Sequence, residues 1–403
     1  LRSLIDLVRT NRNFRFLWFG QIVSQLGDWF NTVAVFSLLF ELTGSATSVA
    51  LMMVLQILPV AIVGPAAGVV VDRFNRRTIM IAADVVRGCA VLGLLLVTSA
   101  DRVWLAYVVT AIMVSATGFF EPSRSATVPT IVGRERLVAA NAISTGTWSA
   151  MLAIGASLGG LVAATLGRDA AFLINALSFF LSAGFLWQLR VPDRPVEGRA
   201  AAGLAGIREG LAYMRAHADV ARIAFVKGGW ALVGGALLLL TVFGDRVFRI
   251  GNSADAGIGV LYGARGVGAA LGSLVVSLLA ARQQNLVRLI APAYFVAGAG
   301  YASLAIVPDI WMAALAVVAA HVFGSILWVS SNVLLQMHVP DQFRGRVFAA
   351  ELFALAVVQS SVSYLTATAL DVWHVSPFVL AAIVGFSLWI PGGYWLLQKR
   401  GAG

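Results

Sequence analysis

Twelve times along this chain an apolar run of membrane-crossing length is closed by charged, proline-containing or glycine-containing residues. A segment in hydrocarbon must satisfy its backbone N–H and C=O groups internally, and about 20 apolar residues wound as an α-helix do so. The windows fall at approximately 14–40, 46–70, 78–99, 104–121, 140–165, 170–189, 221–244, 256–280, 286–307, 311–334, 347–369 and 375–397. Composition agrees, because 59% of the residues are hydrophobic and 12% are charged, whereas a soluble domain carries roughly 25% charged residues. The expected fold class is all-α and integral to the membrane. A net charge of +10 argues for nucleic acid only where it forms a basic face. Here the charges are scattered between apolar runs, so no nucleic-acid partner is expected.

Connections between windows are short except near 190–220, which holds Pro192, Pro195 and many charges. The expected division is therefore a six-helix bundle at 1–189, a linker at 190–220 and a second six-helix bundle at 221–403. The two halves resemble each other. Val128 and Pro129 precede Arg136–Asn141 after the fourth window, as Val339 and Pro340 precede Arg346–Glu351 after the tenth. Gly64 and Gly68 in the second window have counterparts in Gly268 and Gly272 in the eighth. In register with the window count, these pairs indicate duplication, an architecture common among secondary transporters.

Sidedness follows from the basic residues. With the N-terminus inside, 22 of the 29 Lys and Arg lie in cytoplasmic segments, and Arg102, Arg168, Arg246 and Arg249 lie outside. Arg87, Lys227 and Arg265 fall within windows. Both termini are expected in the cytoplasm. The chain begins without Met, so its start is expected to be trimmed; no cleavable signal peptide is visible, and the first span can serve as its own insertion signal. Leu1, Leu4, Ile5 and Val8 form one apolar helical face beside Arg2 and Arg9, and Leu204, Ile207, Leu211 and Met214 form another beside Arg208 and Arg215. Such faces suit interfacial helices, and the second equally suits a solvated linker.

The single cysteine, Cys89, excludes an internal disulfide, and the four histidines lack metal-ligand spacing. No phosphate-binding G-x4-G-K-[ST] loop occurs, so transport is expected to be driven by an ion gradient or by the substrate itself, with no cofactor. No catalytic triad is evident, and the chain is not read as an enzyme.

Between the second and third windows lies Gly68-Val-Val-Val-Asp72-Arg73-Phe74-Asn75-Arg76-Arg77. In a duplicated twelve-span chain this loop resembles the signature of the major facilitator superfamily, matched at Gly68, Asp72, Arg73, Arg76 and Arg77. Phe120–Arg124, Leu137–Asn141 and Val339–Arg346 resemble the branch holding macrolide-efflux, enterobactin-exporter and lysophospholipid-transporter proteins. The intervals of Gly146, Gly155, Gly159 and Gly160 resemble the family's antiporter signature, with Gly160 in place of the usual proline and Ala163 in place of the later glycine. The same small residues also serve plain helix packing. The family's arginine motif of the fourth span is not visible.

The resemblance implies two pseudo-symmetric six-helix bundles whose first and tenth helices line a central cavity. Gln21, Gln25, Asp28 and Thr32 form one stripe of the first helix, bordered by Asn31. An ionisable residue inside a span is costly unless paired or wet. Asp28 is thus the first candidate for a proton-titrating or cation-recognising carboxylate, against the alternative of a structural cap or a partner for an arginine. His321, Ser325, Trp328, Asn332 and Gln336 form a second stripe. His321 is either a proton carrier or a hydrogen-bonded packing residue. Arg265 is expected to pair an anionic substrate group or Asp28, or to snorkel. Asp84 with Arg87, and Glu121 with Arg124, are spaced for ion pairs. Asp72, Arg73, Arg76 and Arg77, with Arg346 and Glu351, are expected to form a cytoplasmic latch that closes the inner gate in the outward-facing state.

The expected function is a bacterial inner-membrane exporter working by alternating access and coupled to protons. Its partners would be membrane lipids and a small hydrophobic or amphipathic substrate of the drug, macrolide or siderophore kind, carried by a monomer. A lysophospholipid flippase without proton coupling is the alternative within the fold. A non-transporting sensor or scaffold is the alternative outside it.

Overall fold

The computed structural model describes the backbone of residues 2–191, 204–251, 253–279 and 283–400. Within these stretches it leaves out the side chains of residues 2–5, 61, 65, 66, 68, 69, 72, 134, 138, 204, 277–279, 283–285, 341, 342 and 398–400. The latch positions Gly68 and Asp72 therefore lie outside the described residues, as do Leu1, Leu4, Ile5 and Leu204 of the two amphipathic faces.

The described residues form α-helices joined by short turns. In chain order the first four are α1 (Arg2–Thr10), α2 (Arg12–Thr43), α3 (Ala46–Leu55) and α4 (Leu58–Arg73). Next come α5 (Arg76–Val91), α6 (Val103–Val132), α7 (Leu137–Leu166) and α8 (Arg168–Trp187). The central loop contributes α9 (Leu204–Ala216), followed by α10 (Ala218–Trp230), α11 (Val233–Val242), α12 (Ala254–Leu279) and α13 (Gln283–Ala302). The chain closes with α14 (Ile310–His338), α15 (Asp341–Asp371), α16 (Pro377–Ser387) and α17 (Trp389–Arg400). Among the described residues, 12 helical segments are long and apolar enough to cross a membrane. Large apolar side chains such as Ile306 (84% exposed), Ile390 (72%) and Leu397 (70%) point outward, which suits lipid rather than water as the surrounding solvent.

Prolines mark two of the breaks within spans. Pro59 sits in the first turn of α4. It lacks an N–H and its ring crowds the carbonyl four residues back, which belongs to Leu55, the last residue of α3. The second span is consequently two half-helices separated at Gln56 and Ile57. Pro391 acts likewise on Ser387, where α16 ends and α17 begins. In contrast, α6 runs through Pro122 and Pro129 to Val132, well beyond the end expected near residue 121. The hydroxyls of Ser123, Thr127 and Thr130 donate back to the carbonyls of Phe119 (2.9 Å), Ser123 (2.7 Å) and Ala126 (3.4 Å). The carbonyls that Pro122 and Pro129 leave without a helical N–H partner are those of Gly118 and Ser125, and these hydroxyls bond neighbouring carbonyls instead.

The chain divides into two compact units. Unit 1 comprises Leu1–Thr43 and Leu55–Gly203, and unit 2 comprises Gly44–Val54 and Leu204–Gly403. Part of the unit 1 core gathers Leu7, Phe14, Leu17, Met80, Phe120 and Leu186. Its α2–α7 contact depends on glycine: a Cβ at Gly159 would stand 2.7 Å from Phe30 Cα, and one at Gly155 would stand 2.9 Å from Trp29 Cβ. In unit 2, Gly268 and Gly272 let α12 approach α14, since added Cβ atoms would each lie 2.7 Å from the Cβ atoms of His321 and Ser325. The helix α9 packs on α15. There Arg346 pairs with Glu209 at 2.8 Å, and Tyr213 stacks on Phe343 with centroids 4.6 Å apart.

Candidate functional site

Unit 1 contains a cavity of about 220 Å³ lined by Asp28, Asn31, Thr32, Gln56, Arg87, Thr110, Met113, Val114 and Thr117. Four elements supply it: α2, the break between α3 and α4, α5 and α6. Asp28, Asn31 and Thr32 reach it from one face of α2, and the Thr32 hydroxyl donates to the Asp28 carbonyl at 2.8 Å. Thr110, Met113, Val114 and Thr117 follow the i, i+3, i+4, i+7 rhythm of one face of α6. This face was not singled out from the sequence, although the i, i+3, i+4, i+7 spacing with a threonine at each end is the signal that could have found it. Gln56 enters only because the helix breaks beside it.

The cavity contains a positive charge that is already engaged. Arg87 donates through Nη2 to Asp84 three residues earlier in a buried ion pair. Its guanidinium lies between two rings, 4.5 Å from the centroid of Phe120 and 4.4 Å from that of Phe179. Both contacts are of the cation–π kind. Counting Asp28 and Asp84 as carboxylates and Arg87 as a cation, the cluster carries one net negative charge. Three buried polar atoms of lining residues have no protein partner: Asn31 Oδ1, Thr110 Oγ1 and Arg87 Nε. Burying such atoms unsatisfied is expensive. These three atoms and the Asp28 carboxylate are polar groups that the lining offers.

The remaining residues of the α2 stripe lie elsewhere. Gln21 donates to the Ser144 carbonyl at 3.0 Å and accepts from Arg124 at 3.5 Å. Arg124 in turn pairs with Glu121 at 2.9 Å. Gln25 has a buried Oε1 without a partner but does not line the cavity. Of the glycines, Gly155 and Gly159 make close helix contacts, whereas a Cβ at Gly146 would meet nothing within 4 Å; Gly160 is buried.

The loop arginines in unit 1 bind helix ends. Arg76 donates to the Ala126 carbonyl at 2.8 Å. Arg77 donates to the carbonyls of Leu186 (3.2 Å) and Trp187, the last residues of α8, where a cation is favoured by the helix dipole. Arg73 is exposed.

Unit 2 places the α14 stripe around two polar centres. Arg265 donates from Nε to His321 Nε2 at 3.2 Å. Arginine has only donors, so Nε2 accepts and the ring hydrogen sits on Nδ1, 2.8 Å from the Tyr301 hydroxyl. His321 is buried as a neutral ring also flanked by Trp230. Ser325 is half-buried, and Gln336 is exposed. The second centre is Lys227 on α10. Its Nζ lies 2.7 Å from Glu351 Oε2 and 2.6 Å from Asn332 Oδ1. The ammonium also lies 4.7 Å from the Trp328 ring centroid and 5.3 Å from that of Phe348.

This corrects the placing of Glu351. It was expected with Arg346 in the cytoplasmic latch, yet its side chain is 1% exposed and salt-bridged to Lys227. Five residues at about 100° each turn it roughly 140° away from Arg346 around the same helix, which separates their faces. Arg346 pairs instead with Glu209.

The profile of a family described as transmembrane secretion effector matches residues 8–389. An uncharacterized MFS-type transporter, YfiS of Bacillus subtilis (strain 168), is 26% identical over 361 residues, covering 85% of this chain and 83% of its own. Macrolide efflux protein A of Streptococcus pyogenes is 30% identical over 207 residues, about half of each chain (50% and 51%). Among solved structures, a POT family transporter in complex with 5-aminolevulinic acid superposes with a TM-score of 0.78 at 11% identity, covering 97% of this chain and 96% of that one. The structural likeness speaks for the fold alone.

Proposed function

Since the chain belongs to the transmembrane secretion effector family, and so is a multi-pass major-facilitator transporter and not an enzyme, we propose that it is a proton-coupled exporter of a hydrophobic or amphipathic small molecule. The reading extends to a bacterial plasma membrane with both termini in the cytoplasm, supported by the bias of Lys and Arg along the chain. Efflux relatives such as macrolide efflux protein A support the outward direction.

One observation carries the coupling: Asp28 faces a cavity whose lining leaves Asn31 Oδ1 and Thr110 Oγ1 buried and unsatisfied. A net negative charge is costly in a dry, low-dielectric interior. It is removed either by a proton on Asp28 or by a cationic group of the substrate seated against it. The two occupants exclude each other. In alternating access, a proton entering from outside displaces the substrate outward, and the neutral cluster permits the return. Arg87, which Asp84 engages, sets one positive charge against two carboxylates.

The test uses purified protein in liposomes with an imposed pH gradient and ethidium as a cationic amphipathic probe. The wild type accumulates ethidium only with the gradient. Asp28→Asn keeps its fold by circular dichroism and loses gradient-driven accumulation. Undiminished gradient-driven transport by Asp28→Asn defeats the proposal.

A further inference from the structure

The pair Lys227–Glu351 is a second charged centre that the Asp28 mechanism does not use. Both side chains are almost completely buried, at 2% and 1% exposure, in helices of membrane-crossing length. Each carboxylate oxygen has a hydrogen-bond partner. Ser331 donates to Glu351 Oε1 at 2.9 Å and Lys227 donates to Oε2 at 2.7 Å. Charged groups inside a membrane protein mark ligand or ion pathways more often than they stabilise.

The centre lies one layer behind an open face. Trp328 is 37% exposed, Asn332 is half-buried and Gln336 is exposed, so the α14 face in front of Lys227 is accessible. Asn332 commits its carbonyl oxygen to Lys227, and its amide nitrogen is a hydrogen-bond donor at the same place. An ammonium, a carboxamide N–H and a flat aromatic wall from Trp328 and Phe348 are the parts of a receptor for an oxyanion attached to an apolar body.

We propose that Lys227 is the anion-binding residue of a second substrate site, with Glu351 as a built-in competitor displaced by protonation. In the step, one proton adds to a Glu351 oxygen and forms the neutral acid. Lys227 keeps its proton and its charge. A carboxylate or singly charged phosphate of an amphipathic substrate then replaces Glu351 as counter-ion, so the site, positive once Glu351 is protonated, is neutral again when the anion is seated. Departure of the anion requires Glu351 to lose its proton again. The elements packed on α15 bring no other ionised group to Glu351. Helix α9 carries Arg208, Glu209 and Arg215, with Glu209 engaged by Arg346. Helix α11 carries no charge, and α10 adds Asp219 and Arg222, the latter against the Trp395 ring. Helix α14 contributes Ser331 to Glu351 and carries His321 and His338, engaged with Tyr301 and the Leu334 carbonyl. Among the described residues, Lys227 is the charged group in contact with Glu351.

The experiment is equilibrium binding of benzenesulfonate, which stays anionic throughout, to the purified full chain in nanodiscs at about pH 5.5 and about pH 8. Benzenesulfonamide is the neutral control and benzylammonium the cationic one. The wild type is expected to bind the sulfonate about tenfold tighter at the lower pH. Glu351→Gln is expected to bind it tightly at both, with a thermal midpoint raised by the ligand. The double variant Lys227→Gln/Glu351→Gln is expected to bind it no better than the sulfonamide. On Glu351→Gln, displacement by benzoate points to a carboxylate substrate and displacement by phenyl phosphate to a phosphorylated one. Displacement by neither, equal affinity of the wild type at both pH values, or retained affinity in the double variant overturns the proposal. If Glu351→Gln does not fold, the wild-type ratio and the double variant still decide. No gradient is imposed, so the outcome is independent of whether Asp28 couples transport.

Discussion

Asp371, the last residue of α15, accepts the backbone N–H of Thr47 at 2.7 Å, and thereby caps a helix that begins more than 300 residues earlier in the chain. The same carboxylate accepts the Ala46 N–H at 3.1 Å and the hydroxyls of Ser45 (2.7 Å) and Thr47 (2.8 Å). A helix start presents unpaired N–H groups and the positive end of its dipole, and a carboxylate answers both. Arg246 fixes the preceding turn by donating to the Gly44 carbonyl at 2.6 Å. Gly44, at φ +62°, adopts the left-handed conformation that glycine tolerates best.

Removing this cap should loosen α3. Asp371→Ala is expected to cost about 1–2 kcal/mol, the usual range for a lost N-cap. Asp371→Asn, which keeps an acceptor but loses the charge, should cost less. Thermal unfolding in detergent ranks the two, and a smaller loss for the alanine variant contradicts the capping role.

Neutralising one member of the buried pair should be far worse than neutralising both. Lys227→Met or Glu351→Gln alone leaves a bare buried charge or an unanswered cation, at an expected cost of about 3–5 kcal/mol. The combination Lys227→Met/Glu351→Gln should recover most of that loss. A double-mutant cycle by thermal unfolding measures the coupling, and simple additivity contradicts the pairing.

The glycines of the fifth span should separate by position. Gly159→Val drives side-chain atoms into the Phe30 backbone and is expected to cost about 1–3 kcal/mol or more. Gly146→Ala meets open space inside a helix and should keep stability or raise it by up to about 1 kcal/mol. Equal losses at both positions would show that helix approach is not what Gly159 provides.

Arg87→Lys should weaken unit 1 although the charge is kept. A lysine ammonium lacks the planar guanidinium that lies between Phe120 and Phe179 while pairing with Asp84. The expected result is a lower unfolding temperature than wild type; an unchanged midpoint contradicts the sandwich.

Local signals carried most of the reading from sequence. Hydropathy alone located all twelve spans, because a helix in lipid must be apolar over its whole length. The pair Asp84–Arg87 was legible because three residues bring side chains together on any helix. What failed was non-local or conditional. The fourth window ended at residue 121, yet α6 continues through Pro122 and Pro129 to Val132. Pro59 did break its helix, and that break alone brings Gln56 to the cavity. Lys227 and Glu351 are 124 residues apart, and no periodicity within either helix announces that they meet. The α2 stripe was legible as a stripe, but its division into a cavity half at Asp28, Asn31 and Thr32 and a packing half at Gln21 depends on which neighbour each turn faces.

The central claim is that a proton and a substrate cation compete for Asp28. It is tested most directly by following pH in a weakly buffered solution of the purified protein as a ligand, chosen beforehand by thermal-shift screening of amphipathic amines, is added. The account predicts that the wild type releases protons as the ligand saturates, and that Asp28→Asn releases none. Equal proton release by both proteins, or saturable binding to the wild type with no release at any pH, would contradict it.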